Sequence, residues 1–151
     1  MRTDRASRLI AAPLATLYRA FIDPELLVRW LPPEGMTGEM LEFDAKPGGG
    51  YRMALHYDDG GGGKTTEDSD VVAVRFLKLV PEKLILQAAD FVSEDPAFAG
   101  TMTMIWSFEA EGDKARVAIA CENVPAGIGR REHVAGLKSS LANLAVLVEQ
   151  G

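Results

Sequence analysis

Two histidines, one cysteine and several carboxylates are the residues of this 151-residue chain that could bind a metal ion. His56, Cys121 and His133 stand far apart and show none of the short ligand spacings typical of zinc sites. The alternation of its strand predicts that His56 points outward, away from His133. We therefore predict no metal site and no bound cofactor.

Cys121 is the one cysteine of the chain and could act as a nucleophile if a base lay nearby. A short link joins its predicted strand to the helix that carries His133, so the two side chains could approach each other. The neighbours of Cys121 on its face of the strand are apolar, and a buried cysteine ordinarily behaves as a small hydrophobic residue. We predict that Cys121 belongs to an apolar wall.

Four polar side chains could carry out general acid–base chemistry: Tyr57, Arg75, Glu122 and His133. A carboxyl group such as Glu122 would have to be removed from water to transfer protons near neutral pH. The alternation of its strand places Glu122 opposite Cys121, on the solvent side. We expect His133 to supply the main polar contact to a ligand and Tyr57 a second one.

A glycine-rich segment that ends in Lys64-Thr65 resembles a phosphate-binding loop at first sight. That motif requires a glycine five residues before Gly63, where this chain has Asp58. It also requires a following helix whose amides meet phosphate, whereas residues 66–70 are mostly acidic. We predict a hairpin loop and no nucleotide site.

Methionine and tryptophan side chains form a further set: Trp30, Met53, Met102, Met104 and Trp106. Methionine fills irregular gaps in cores and also suits adaptable walls of ligand sites. Each of these residues taken alone fits a core position. The set as a whole fits equally well the lining of a pocket.

Apolar periodicity and turn residues predict the element order β-α-α-β-β-β-β-β-β-α. Pro13 opens a first short helix, and Asp23-Pro24 separates it from a second, residues 25–31. The predicted strands are residues 5–11, 37–44, 50–58, 69–80, 83–90, 101–110 and 115–123. Consecutive strands joined by short turns are expected to pair antiparallel.

The final predicted helix, residues 129–150, carries an apolar stripe formed by Val134, Leu137, Leu141, Leu144 and Val148. It would be about 30 Å long, so it is the one helix able to cover the sheet. We predict a single α+β domain over residues 1–151, in which a curved antiparallel sheet of six or seven strands wraps around this helix. The two short helices would close one end of the space between the sheet and the final helix. Ligands commonly bind at openings of this kind.

The amino-acid composition argues against some classes of binding partner. Apolar residues make up 47% and charged residues 25% of the chain, as in ordinary globular proteins. The 16 basic residues are scattered among 22 acidic ones, which argues against nucleic acid or anionic membrane as a partner. A single cysteine fits a reducing compartment, and Pro13 interrupts the short apolar stretch near the N-terminus. We expect a cytoplasmic protein.

Short segments along nearly the whole chain resemble the helix-grip, START-like (SRPBCC) superfamily, and within it the family named after the activator of the heat-shock-protein-90 ATPase. The matching segments are Ala12-Pro13, Leu17-Tyr18, Ala20-Phe21, Asp23-Pro24, Trp30, Pro47-Gly48-Gly49, Tyr51-Arg52, Pro81-Glu82-Lys83-Leu84, Cys121-Glu122-Asn123-Val124-Pro125, and His133 with Gly136 and Leu137. The resemblance implies the helix-grip fold.

Two positions depart from the pattern of the family. Relatives often have His-Glu-Gly where this chain has Cys121-Glu122-Asn123, and a tryptophan where it has Leu137. Both positions are expected to face the interior, so the interior of this protein should differ from that of better-known relatives.

We therefore predict a protein that binds a small, largely apolar molecule between the sheet and the final helix. The predicted lining is Trp30, Met53, Leu55, Tyr57, Met102, Met104, Trp106, Cys121, His133, Leu137 and Leu141. The wider superfamily includes polyketide cyclases and dehydratases, so an enzyme using the same cavity is one alternative. A chaperone-associated interaction module, docking through its outer sheet face, is another. Homodimerisation stays open.

Overall fold

The computed structural model describes residues 2–32, 35–57, 69–91 and 95–149. Within them, seven strands and three helices follow the predicted order. The elements are β1 (Thr3–Ile10), α1 (Leu14–Ile22), α2 (Pro24–Trp30), β2 (Met36–Asp44), β3 (Gly50–Tyr57), β4 (Ser69–Val80), β5 (Leu84–Phe91), β6 (Gly100–Glu111), β7 (Lys114–Glu122) and α3 (Arg130–Glu149). A short 3-10 turn, Pro96–Phe98, interrupts the predicted loop before β6. The glycine-rich loop lies outside the described residues.

The strands form one antiparallel sheet in the order β1-β7-β6-β5-β4-β3-β2. Consecutive strands pair because their connections are short, whereas β1 reaches β7 from the far end of the chain. The sheet curls into a half barrel around α3, with the two short helices after β1. The predicted helix-grip architecture is confirmed.

Two bulges contribute to the curl of the sheet. The register shifts between Met40 and Glu42 in β2 and between Phe76 and Lys78 in β4. An extra residue on one strand bends that strand and increases its local twist. Leu41 and Leu77, the extra residues, account for two of the few large apolar side chains that are exposed.

The predicted first strand, residues 5–11, begins two residues too late. The observed strand includes Thr3 and Asp4, and the side chain of Asp4 points to the buried face. Aspartate is depleted in strands, so the sequence pattern offered no reason to extend β1 this far. This boundary matters because Asp4 is central to the site described below.

The short helices begin as predicted, and they pack against each other, α3 and the sheet. The Asp23 carboxylate accepts a hydrogen bond from the Glu25 amide at 2.9 Å and so caps α2. Phe21 packs against Trp30 and Trp106, with ring centroids 4.7 and 4.8 Å away. This aromatic cluster fills the space between the short helices and β6.

Helix α3 is unevenly buried along its length. Its fully buried residues all lie in its second half: Ser140, Leu141, Leu144, Ala145 and Val148. The Ser140 hydroxyl donates to the Leu31 carbonyl at 2.7 Å and ties this half to the end of α2. His133 and Leu137, in the first half, are only partly buried. The second half therefore belongs to the core, and the first half is partly exposed.

None of the described helices is long and apolar enough to cross a membrane.

Candidate functional site

Four inward-facing residues form a continuous row across four neighbouring strands. Asp4 of β1 pairs with Cys121 of β7, which pairs with Met104 of β6, which pairs with Gln87 of β5. Directly paired residues point to the same face of a sheet. His133 of α3 contacts one end of this inner row. Charged, polar and apolar groups therefore meet on the concave side of the sheet.

Asp4 is an almost fully buried carboxylate, with 1% of its surface exposed. Arg2 donates from Nε and Nη2 to its two oxygens at 3.1 and 2.8 Å. Arg130 donates from Nε at 3.1 Å, and Nδ1 of His133 lies 2.7 Å from Oδ2. The hydrogen bonds from Arg2, followed by the one from His133, hold the pKa of Asp4 well below its usual range, although burial acts against them. Asp4 is therefore ionised.

The His133 side chain is 16% exposed and uses only one of its ring nitrogens within the described residues. Nδ1 faces Asp4, while Nε2 has no hydrogen-bond partner there. Among the described residues, no fully buried side-chain nitrogen or oxygen lacks a partner. Nε2 is therefore reached by solvent.

Cys121 is fully buried between Asp4 and Met104. Burial, and to a smaller extent the negative charge of Asp4, raises the pKa of the Cys121 thiol to about 12. Because the thiolate is the nucleophilic form, Cys121 is unreactive near neutral pH. Cys121 and His133 are each adjacent to Asp4, and they share no hydrogen bond in the described structure.

Gln87, like Asp4, is a polar residue of the row that the sequence analysis missed. It is 3% exposed, and its side-chain oxygen accepts a hydrogen bond from the indole nitrogen of Trp106 at 3.0 Å. Its amide nitrogen donates to none of the described residues. Because no fully buried side-chain nitrogen among those residues lacks a partner, this nitrogen must touch accessible space. The alternation of Ile85, Gln87 and Ala89 in β5 was a usable signal, since both neighbours are apolar.

The predicted lining residues divide by burial. Six are 5% exposed or less: Trp30, Met53, Met102, Trp106, Cys121 and Leu141. Four are partly exposed: Leu55, Met104, His133 and Leu137. The side chain of Tyr57, the predicted second polar contact, lies outside the described residues. Trp30 and Trp106 belong to the aromatic cluster, and Met104, Cys121 and His133 belong to the inner row or contact it.

The other candidate acid–base and metal-binding groups lie away from the inner row. Arg75 forms an exposed two-point ion pair with Asp90, at 2.8 and 3.1 Å. His56 is exposed on β3 and lies 3.2 Å from a carboxylate oxygen of Glu39 on β2. Of Arg75, His56 and His133, it is His133 that lies beside the inner row.

Surface depressions occur elsewhere on the molecule as well. One of about 460 Å³ lies over the outer face of the sheet, lined by Arg5, Ala6, Ser7, Ile105, Ser107, Ala118, Ile119 and Ala120. Another, of about 650 Å³, lies on the outer side of α3, lined by Arg130, Arg131, Val134, Ala135 and Lys138. The outer face of the sheet is the surface that the interaction-module alternative would use.

Asn123, which follows β7, has an unusual backbone conformation. The residue adopts φ 62°, a left-handed conformation that glycine and asparagine tolerate best. Its side chain donates to the Thr101 carbonyl at 2.8 Å, and its backbone amide donates to the Arg2 carbonyl at 2.9 Å. Asn123 therefore occupies a backbone conformation that glycine would also adopt readily, and it helps to position Arg2.

Known structures share this architecture. Protein CV1439 from Chromobacterium violaceum is 33% identical with a TM-score of 0.85, and the alignment covers 97% of this chain and 96% of that one. MLL2253 from Mesorhizobium loti is 17% identical over 99% and 98% of the two chains, with a TM-score of 0.77. DynU16, a protein in the dynemicin biosynthetic locus, is 17% identical over 97% of this chain and 47% of its own, with a TM-score of 0.70.

A search of curated proteins found no match. The family model described as activator of Hsp90 ATPase homolog 1-like protein matches residues 11–149. That span includes every described helix and every described strand except β1. Together with the 33% identity to the Chromobacterium protein, it shows that this chain belongs to the activator of Hsp90 ATPase homolog 1-like family.

Proposed function

We propose that the protein binds a small, largely apolar molecule between the inner row and the first half of α3. The observation that carries this proposal is the state of Gln87. Its oxygen is committed to Trp106, yet its amide nitrogen keeps two donors without a partner among the described residues, at a position 3% exposed. Because this nitrogen touches accessible space in a side chain that is otherwise buried, its two donors are available to an acceptor on a bound molecule.

Partly exposed apolar side chains on the concave side support the same proposal. Leu55, Val72, Met104 and Leu137 pack against the core, yet none of them is fully buried. Protein interiors are close-packed, and apolar surface left accessible next to a core is stabilised when a ligand covers it. A small apolar ligand would remove this surface from water.

An enzyme of the cyclase or dehydratase kind is the second candidate, and the pair formed by Asp4 and His133 favours it. DynU16, which shares the fold, comes from a biosynthetic locus. The ionised Asp4 and the protonated Cys121 do not change protonation near neutral pH, so His133 is the group of this cluster available to move a proton. A site with one such group fits ligand binding better than it fits a reaction that needs both an acid and a base.

The cellular setting that we propose is the cytoplasm. The thiol of Cys121 is buried, and no second cysteine is present in the sequence. Such a chain gains nothing from an oxidising compartment, whereas a reducing one keeps the thiol intact.

Larger side chains at two lining positions test the location of the proposed site. Met104→Phe and Leu137→Phe should each weaken binding of the neutral fluorescent probe N-phenyl-1-naphthylamine at least tenfold, because the new ring occupies the ligand's space. Ile105→Phe, on the outward face of β6, and Val146→Phe, on the exposed side of α3, are matched controls that should bind as the wild type does. Wild-type affinity in both inward variants would refute this location.

Removing the Gln87 donors tests the polar anchor. Gln87→Leu should weaken binding of 1-tetralone, which has a carbonyl acceptor, by roughly tenfold, in line with the loss of one hydrogen bond. Binding of 1,2,3,4-tetrahydronaphthalene, which has no acceptor, should stay within about twofold of wild type under the same argument. Titration of intrinsic tryptophan fluorescence measures both affinities. An equal loss for the two compounds would mean that Gln87 acts through packing alone.

A further inference from the structure

We propose that Asp4 holds the imidazole of His133 in one tautomer, so that Nε2 accepts a hydrogen bond from a hydroxyl group of the ligand. The ligand class is thus a phenol or alcohol on an apolar framework. This inference rests on the proposed binding function and names the polar group that the site selects. Asp4 acts in it as a positioning residue.

The tautomer follows from the charge of Asp4. An ionised carboxylate accepts hydrogen bonds and has none to donate. Nδ1 of His133 lies 2.7 Å from Oδ2, a hydrogen-bond distance, so Nδ1 must carry the proton of that bond. In a neutral imidazole, Nε2 is then an acceptor.

The surrounding charges allow this neutral form. Arg2 and Arg130 both donate to the Asp4 carboxylate and together supply two positive charges against its one negative charge. The carboxylate therefore does not need a protonated His133 as a counter-ion. Cys121, the other titratable group beside Asp4, stays uncharged because its thiol pKa is about 12.

Because the imidazole lies beside apolar side chains, a ligand that leaves Nε2 without a hydrogen bond should bind less tightly. His133, Leu137 and Leu141 share one face of α3 at intervals of four residues, so the imidazole stands at the end of an apolar stripe. Nε2 has no partner among the described residues and is reached by solvent. A ligand that displaces this solvent must supply a donor or leave the nitrogen unpaired, and a site built to pair with a hydroxyl rejects analogues that lack it.

The tautomer can be observed directly in the wild-type protein. The chain has two histidines, so comparison with the spectrum of His56→Gln assigns the His133 signals of the wild type. Nitrogen-15 NMR of the neutral imidazole should show His133 protonated at Nδ1 and unprotonated at Nε2. The opposite tautomer, or rapid averaging of the two, would overturn the proposal.

Matched probes test the selection itself. 1-Naphthol and 1-methoxynaphthalene have the same ring system, but only the first can donate a hydrogen bond. The wild type should bind 1-naphthol about tenfold more tightly, and His133→Gln and Asp4→Asn should reduce this preference to about twofold or less, as expected for one hydrogen bond. Asp90→Asn is the matched control: it removes another arginine-paired aspartate, on the exposed surface, and should keep the full preference.

The outcomes separate this inference from the proposed function. Binding of both probes with equal affinity by the wild type would leave the apolar site intact and refute selection of a hydroxyl by His133. Binding of neither probe would refute both proposals. If Asp4→Asn does not fold, the His133→Gln comparison and the wild-type NMR measurement still decide the question.

Discussion

Replacement of Trp30 by alanine is expected to lower the free energy of unfolding by about 3–5 kcal/mol, the range for large aromatic truncations in a core. Trp30 is fully buried, and its ring centroid lies 4.7 Å from that of Phe21 and 5.7 Å from that of Trp106. Its indole nitrogen donates to the Ala20 carbonyl at 2.9 Å. The truncation therefore removes apolar packing, two aromatic contacts and a hydrogen bond that joins α2 to α1.

Trp30→Phe is the matched control for this variant. It keeps an aromatic ring in the cluster but loses the hydrogen bond to Ala20, so we expect a cost of about 1–2 kcal/mol. Urea denaturation followed by circular dichroism measures both values. A cost below about 1 kcal/mol for Trp30→Ala would show that the short helices contribute little to the cooperative fold.

Replacement of Asp4 by alanine is expected to cost about 2–4 kcal/mol, because it leaves buried donors without their acceptor. His133 loses the partner of Nδ1, and Arg2 and Arg130 lose a shared carboxylate. The Arg130 side chain is largely exposed and can turn to water, which places the expected cost below that of a fully enclosed ion pair. Asp90→Asn, at an exposed ion pair, should cost less than about 1 kcal/mol.

The Asp4 cluster also predicts a dependence of stability on pH. The folded-state pKa of Asp4 is lowered, so the unfolded chain binds its proton more readily and protonation favours unfolding. The contribution of Asp4 is therefore fully present above the ordinary aspartate pKa of about 3.9 and is lost as the pH falls below it. The stability difference between wild type and Asp4→Asn should shrink between about pH 5 and pH 3. A constant difference over that interval would contradict the assigned ionisation.

Much of the fold could be predicted because its signals are local. The alternation of Met102, Met104 and Trp106 identified a strand and its inward face, and Asp23 identified the start of α2. The spacing of apolar residues, the helix caps and the turn residues each depend on a few neighbouring positions, so they can be read from a single sequence. The family resemblance added the same architecture, and the match over residues 11–149 confirms it.

The candidate site was predicted less completely. Met104, Cys121 and His133 were among the predicted lining residues, and the structure places them in the inner row or against it. Their role in ligand binding stays a prediction. Gln87 was missed because a glutamine among apolar neighbours was not weighed as an inward residue. Whether its oxygen or its nitrogen is free depends on Trp106, a contact between two strands that periodicity does not describe.

The sequence by itself determined the elements, the faces of the strands and the helix that the sheet surrounds, because these follow from periodic burial of apolar side chains. Only the tertiary structure decided that Asp4 is a site residue. Its contact with His133 joins positions 129 residues apart and depends on the pairing of β1 with β7. Ionisation, tautomer and free hydrogen-bonding capacity are properties of such long-range neighbours, and the local pattern around either residue does not contain them.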